Sequence, residues 1–142
     1  MVKATLVDRD IEDGGELIKL LDSRGFPVDA ALWCQLSETD DWKLYISSVL
    51  VDLYGPRASY GKLISVVRRD KPSLLNLLDE VRLVSPGTML IAKLKDCLVT
   101  DKEKLSELRL EKCIVNELYI ENAIIYRLLS PKDTIRNIAK IK

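Results

Sequence analysis

The first apolar pattern in the chain has helical spacing, and two strand-like runs follow it. The helical stripe begins behind the acidic Asp8 and ends before Gly25. Its apolar members are Ile11, Leu17, Ile18 and Leu21. Two runs rich in β-branched and aromatic residues come next, Val28–Leu36 and Trp42–Val51, on either side of a polar five-residue loop. This order predicts a helix that leads into a β-hairpin.

A second helix is predicted directly after the hairpin. Gly55 and Pro56 open it, because a proline at the first helical position loses no hydrogen bond. Its apolar stripe consists of Tyr60, Leu63, Ile64 and Val67. Shorter patterns predict three more helices: Leu74–Leu78, one that begins after Ser85 and Pro86, and Asp101–Leu108 after Thr100. Three further strands are predicted at Val81–Val84, Glu111–Val115 and Ala123–Leu128. A basic helix or tail is predicted after Ser130 and Pro131.

These elements predict an α+β fold in two layers. We expect a mixed or mostly antiparallel sheet of about four to six strands, with helices packed mainly on one face. The hairpin is expected at its centre, and the helix Arg57–Lys71 is expected to lie on the apolar face. No linker or low-complexity segment interrupts the 142 residues, so residues 1–142 are predicted to form a single domain.

The register of the predicted hairpin sorts its side chains into two faces. If Leu36 lies opposite Trp42, one face is apolar throughout and the other places Trp33 directly opposite Tyr45. The second face contains Trp33, Gln35, Lys43, Tyr45 and Ser47. Exposed aromatic patches often mark interaction sites, so this face predicts docking of a second copy or of another protein. The alternative is that the chain's own helices cover it.

Charge is balanced overall but unevenly distributed. The chain has 22 basic and 22 acidic residues, so its net charge supplies no general attraction to nucleic acid or to an anionic membrane. Residues 1–41 contain four basic and ten acidic residues, a net charge of −6, and residues 42–142 therefore carry +6. Within the predicted helix, Lys62, Arg68, Arg69 and Lys71 are candidate contacts for phosphates. A solvated helix face explains the same charges.

The cysteines and the N-terminal residues predict a reduced cytoplasmic protein. Cys34, Cys97 and Cys113 are too far apart for a CxxC pair or a zinc site, and their odd number does not suggest a disulfide framework. Acidic residues follow soon after the start, unlike in a signal peptide. No apolar run approaches the roughly 20 residues that a membrane-spanning helix needs, so no membrane partner is predicted.

The chain has no histidine, which excludes histidine-activated nucleophiles and every histidine-containing metal site. We therefore predict no catalytic residue, no metal and no cofactor. Asp29, together with Asp41 and Lys43, imitates the spacing of a nuclease motif in which two carboxylates hold Mg²⁺. In the predicted register, Asp29 and Asp41 lie at opposite ends of the hairpin, roughly 25 Å apart, too far to share a metal ion.

A second polar cluster lies where the hairpin passes into the next helix. Asp52, Arg57 and Tyr60 flank this junction, and helix N-termini accept anions. The cluster is a candidate site for an anion or another ligand, and an enzyme without histidine would use it for catalysis. The alternative is that Asp52 and Arg57 only fix the loop.

Two stretches of the sequence carry a resemblance to known proteins. The first runs through Ala31-Leu32-Trp33, Trp42-Lys43-Leu44-Tyr45-Ile46, Leu50-Val51-Asp52, Gly55 and Tyr60, and the second runs from Tyr119-Ile120-Glu121 through Ile125-Tyr126. In these residues the chain resembles a family of small uncharacterised prokaryotic proteins. The resemblance implies a free-standing cytosolic domain, and it brings no activity, cofactor or site residue with it.

These observations favour a noncatalytic protein-interaction module over an enzyme. The module would associate with itself or with another protein through the Trp33/Tyr45 face or through a sheet edge. One alternative is weak binding of nucleic acid by the basic helix, residues 57–71. Another is an enzyme without histidine at the strand–helix junction, residues 52–60.

Overall fold

The chain forms helices and the strands of one sheet, mostly in consecutive groups. The computed structural model describes residues 5–101, 104–130 and 133. In chain order, the elements are α1 Asp8–Ser23, β1 Ala30–Gln35, β2 Lys43–Ser47, α2 Val49–Tyr54, α3 Pro56–Asp70, a 3₁₀ helix Pro72–Glu80, β3 Val81–Val84, α4 Met89–Cys97, β4 Leu108–Val115 and β5 Leu118–Leu128.

The strands of the described residues form one mixed sheet in the order β3-β2-β1-β5-β4. The β2–β3 pair is parallel and the other three pairs are antiparallel. Helices α1 and α3 and the 3₁₀ helix supply the core on one face, and α4 packs against the other. The α+β class, with most helices on one face, is therefore confirmed, and α4 adds cover to the second face.

Two apolar cores result from this arrangement. The first core lies under α1 and α3 and includes the predicted stripe of α1. The second core lies under α4, which contributes Leu90, Ile91 and Leu94. In α3, Leu63 and Val67 are buried as predicted, and Val66 is buried as well. All six residues of β1 are buried, because this central strand has a core on each side.

A buried polar contact joins α1 to the two central strands. Trp33 of β1 donates its indole N–H to the hydroxyl of Tyr126 on β5, with 3.1 Å between Nε1 and Oη. The Tyr126 hydroxyl in turn donates to the backbone carbonyl of Ile11 in α1. Gly14 faces both rings at close range, so the helix can approach the sheet here only because this residue has no side chain.

An irregularity in β5 directs two neighbouring side chains toward α1. Leu32 pairs with Ile125 but Ala31 pairs with Arg127, so Tyr126 is an extra residue in the ladder. Tyr126 enters the first core, and the next residue, Arg127, forms an ion pair with Asp22 near the end of α1. The bulge therefore anchors α1 at two points along its length.

The hairpin register predicted from the sequence is wrong by one residue. Trp33 pairs with Leu44, and Leu32 pairs with Tyr45. Trp33 therefore belongs to the first core, whereas Tyr45 packs against the second core on the opposite side of the sheet. The prediction assumed one apolar and one polar face, but a strand covered on both sides is apolar on both, so its pattern does not define the register.

Two predicted boundaries also differ from the structure. The second strand ends at Ser47, because the hydroxyl of Ser48 accepts a hydrogen bond from Leu50 N and caps α2. The Thr100 hydroxyl accepts a hydrogen bond from the backbone N–H of Leu128 at 2.8 Å, and residues 104–107 of the helix predicted behind it are not helical. Glu103, within that predicted helix, and most of the predicted terminal helix lie outside the described residues.

Alanine substitutions at two adjacent glycines of α1 should have opposite effects. A Cβ at Gly14 would lie 2.5 Å from the Tyr126 hydroxyl oxygen and 2.9 Å from Trp33 Nε1, whereas a Cβ at Gly15 would meet only Tyr126, at an ordinary 3.7 Å. Alanine gains about 1 kcal/mol of helix propensity at either position, and overpacking costs about 1–3 kcal/mol. We expect Gly14→Ala to be about 2 kcal/mol less stable than Gly15→Ala in denaturant unfolding. Equal stabilities would contradict the close packing of α1.

Candidate functional site

The predicted interaction face does not form. Trp33 is fully buried beneath α1, and Tyr45 is half-buried on the other side of the sheet. Burial also raises the pKa of the Tyr45 hydroxyl. Because the two aromatic rings lie on opposite faces, they cannot together form one docking surface.

The polar residues predicted for that face hold the fold together instead. Gln35 donates to the backbone carbonyl of Asp40 and accepts from the amide of Asn122. Lys43 forms an ion pair with Glu80 at the end of the 3₁₀ helix, with 3.2 Å between nitrogen and oxygen. Ser47 is fully buried, and its hydroxyl lies 3.5 Å from the carboxylate of Asp29.

The nuclease-like spacing does not bring its carboxylates together. Asp29 is buried beside Ser47, at the end of the hairpin away from Asp41, as the spacing argument predicted. Its carboxylate forms an ion pair with Lys95 of α4, with 2.7 Å between the charged atoms. Among the described residues, no group of three or more Cys, Asp or Glu side chains is arranged to hold a metal ion.

The strand–helix junction is also built differently from a ligand site. Asp52 accepts a hydrogen bond from the hydroxyl of Ser85 at 2.6 Å, which joins α2 to the segment before α4. Tyr60 donates its hydroxyl to the backbone carbonyl of Leu78 at 2.8 Å, and burial raises the pKa of that hydroxyl. Arg57 is exposed in the first turn of α3. Asp52 and Tyr60 thus have separate structural partners.

The basic residues of α3 and its end divide into two groups. Lys71 pairs with Glu16 of α1 at 2.9 Å, and Arg69 lies 3.6 Å from the carboxylate of Asp70. Lys62 and Arg68 are exposed, and neither forms an ion pair with any residue that the structure describes. Only part of the predicted cluster therefore presents uncompensated positive charge.

The outer strand β4 carries the most unusual surface, and sequence reasoning missed it. β4 forms one edge of the sheet, and Ile114 is 72% exposed there. Its direct cross-strand partner on β5, Tyr119, is 45% exposed, and Leu108 is 40% exposed. Edge strands offer unpaired backbone groups to other chains, and adjacent apolar side chains strengthen such pairing. We call Leu108–Val115 with Tyr119 the β4 edge.

The two faces of the β4 edge differ in character. Leu110 lies on the α4 side and packs partly against the second core. Arg109 and Glu111 lie on the other side, where they line a groove with a volume of about 120 Å³ beside Ile11 and Trp42. Pockets for small-molecule ligands typically measure about 300–1,000 Å³, so this groove is small for a cofactor or a metabolite.

Backbone geometry limits how long the extended part of β4 is. Asn116 and Glu117 have φ values of 49° and 68°, as in the tight turn that joins β4 to β5. Lys112 has a φ of 43° within the strand itself. Lys112 therefore divides β4 into two extended stretches, residues 108–111 and the shorter 113–115. The sequence prediction began this strand only at Glu111, because it had assigned the preceding residues to a helix.

Comparisons with known proteins do not assign the chain to a family. No family model matches the chain, and no curated protein or solved structure is significantly similar to it. The resemblance to small prokaryotic proteins therefore stays a prediction. In addition, no helix among the described residues combines the length and the apolar composition needed to cross a membrane.

The three thiols should differ sharply in reactivity. Burial raises the pKa of the Cys34 thiol to about 12, whereas Cys97 is exposed and Cys113 is half-buried. We expect a disulfide reagent at about pH 8 to modify Cys97 first, Cys113 more slowly, and Cys34 only after unfolding. Rapid modification of Cys34 in the folded protein, identified by peptide mass, would contradict the burial of this residue in β1.

The raised pKa of Cys34 also predicts a loss of stability in alkali. Well below pH 9 the thiol is protonated in both the folded and the unfolded state. As the pH rises from about 9 toward 12, only the unfolded thiol ionises, so the free energy of unfolding falls. In denaturant titrations across this range, Cys34→Ala should lose less stability than the parent protein. Identical slopes would show that Cys34 does not contribute.

Proposed function

We propose that the chain is a noncatalytic protein-interaction module that binds its partner through the β4 edge. The observation that carries this proposal is the exposure of Ile114 and Tyr119 as a directly paired apolar couple on the outermost hairpin of the sheet. An added strand would pair with the free backbone of β4 and cover these side chains. The function expected from the sequence is kept, and of its two expected surfaces the proposal drops the Trp33/Tyr45 face and retains a sheet edge.

The opposite edge is a weaker candidate. β3 has only four residues, and Leu83 and Val84 within it are half-buried. Short edge strands resist pairing with other chains. β4 has eight residues, of which five are exposed, so it offers the larger surface for strand addition.

The use of the buried polar groups supports binding over catalysis. Asp29, Glu80 and Arg127 are buried, and each forms an ion pair within the chain. Buried charges that stabilise one another in this way are not available to a substrate. The groove next to β4 is also small for a substrate.

Lysine substitutions on the edge should abolish binding without unfolding the protein. Ile114→Lys places a charge where a partner strand would pack, and Met89→Lys is the matched control, because Met89 on α4 is 66% exposed. Exposed substitutions usually change stability by less than about 0.5 kcal/mol. We expect Ile114→Lys to weaken partner capture from nuclease-treated native extract by roughly tenfold or more, and Met89→Lys to leave it unchanged.

The comparison between these two variants decides the proposal. If both capture partners as the parent protein does, the β4 edge is not the binding surface. If both lose capture equally, the effect comes from added charge in general. Circular dichroism of each variant confirms that the fold is retained before capture is compared.

The uncompensated charge on α3 supports nucleic-acid binding as a second candidate. Arg57, Lys62 and Arg68 are exposed on α3 and form no ion pair with a described residue. Such residues bind phosphates without sequence preference and with a steep dependence on salt.

Neutral substitutions test this second candidate. Lys62→Gln should lower affinity for mixed-sequence duplex DNA and reduce the slope of log affinity against log salt by about 0.9, as expected for one lost phosphate contact. Lys19→Gln removes one exposed positive charge from α1 and serves as the control. Fluorescence anisotropy measures both. Equal slopes for the two variants would exclude α3 as the contact surface.

A further inference from the structure

We infer that the partner of the β4 edge is a second copy of this chain, paired antiparallel through β4 about a two-fold axis at Leu110. This inference rests on the proposed function and specifies its partner. A two-fold contact brings the same surface together from both copies, so the surface must be complementary to itself. The charges on β4 meet that requirement.

Arg109 and Glu111 stand symmetrically on either side of Leu110. Arg109 lies opposite Ile124, whose side chain enters the first core, and Glu111 is two residues further along the same extended segment, so both project from that face of the sheet. When two β4 strands run antiparallel with Leu110 opposite Leu110, Arg109 of each copy lies opposite Glu111 of the other. The pairing therefore creates two cross-strand attractions between opposite charges on one face.

The other face of the same pairing is apolar. Leu110 packs against the second core but stays half-buried, because nothing in the described chain lies beyond β4 on that side. The second copy would place its own Leu110 there and join the two second cores across the axis. Leu108, which is 40% exposed, lies on the same face at the end of this short pairing.

Other symmetric registers are less favourable. A shift that centres the axis on Glu111 places two carboxylates opposite each other. A shift that centres the axis on Arg109 places two guanidinium groups opposite each other. The register at Leu110 pairs residues 109–111 of the two copies, and all of these precede Lys112. Such a short pairing buries little area, so the association should be weak and should depend on concentration.

Charge exchange on β4 tests both the partner and the register. Arg109→Glu and Glu111→Arg each convert the two attractions into two repulsions, and each should raise the dimer dissociation constant roughly tenfold or more. The double variant Arg109→Glu/Glu111→Arg restores both opposite-charge pairs and should regain the affinity of the parent protein. Sedimentation velocity over a concentration series measures each protein, and circular dichroism confirms its fold.

An equimolar mixture of the two single variants gives a further test. The Arg109→Glu chain carries two acidic side chains at these positions and the Glu111→Arg chain carries two basic ones. Each acidic side chain would face a basic one across the axis, so heterodimers should form although each variant alone is monomeric. In the register centred on Glu111, the double variant would place its two introduced arginines opposite each other and would stay dissociated. Restoration by the double variant therefore supports the register at Leu110 alone.

Failure of this inference is distinguishable from failure of the proposed function. A parent protein that stays monomeric at all concentrations overturns self-pairing. If Ile114→Lys still loses capture of another protein, the β4 edge remains the binding surface with a different partner. A dimer that neither the single charge variants nor Ile114→Lys weakens overturns both proposals. A dimer that Ile114→Lys dissociates but the double variant does not restore overturns only the register.

Discussion

The fold depends on the contact that Trp33, Tyr126 and Gly14 make at the centre of the sheet. The indole N–H and the phenol hydroxyl satisfy each other in the first core, and the hydroxyl also reaches the α1 backbone at Ile11. Buried polar groups require such partners, so the three elements are stable together and costly to separate. Gly14 leaves the space that this network occupies, because any side chain there would displace both rings.

Fixing α1 on the centre of the sheet determines where surface remains for function. With α1 and α3 on one face and α4 on the other, β1 is buried throughout, and its polar neighbours pair within the chain. The ion pairs of Asp29, Glu80 and Arg127 serve this packing. What is left is the rim of the sheet, where β4 lies beyond the cover of α1 and exposes apolar side chains.

The sequence predicts helices better than it predicts strand pairing here. The stripe of α1, the proline start of α3 and the strand Val81–Val84 follow from local spacing, and the structure confirms them. The hairpin register depends on which face of β1 is buried, and since both are, local alternation gives no answer. The β4 edge was missed for another reason. Whether a strand lies at the edge depends on the strand order, which pairs β1 with the distant β5.

β4 combines a feature that opposes pairing with features that favour it. Lys112, with its charge and positive φ, interrupts the strand in the way that proteins commonly protect an edge. Protection alone does not explain why Leu108 and Ile114 are exposed on either side of it. The interruption instead limits pairing to a short segment in which Arg109 and Glu111 select the register. A two-fold contact uses the free side of β4 in both copies, so association stops at a dimer and does not continue into a filament.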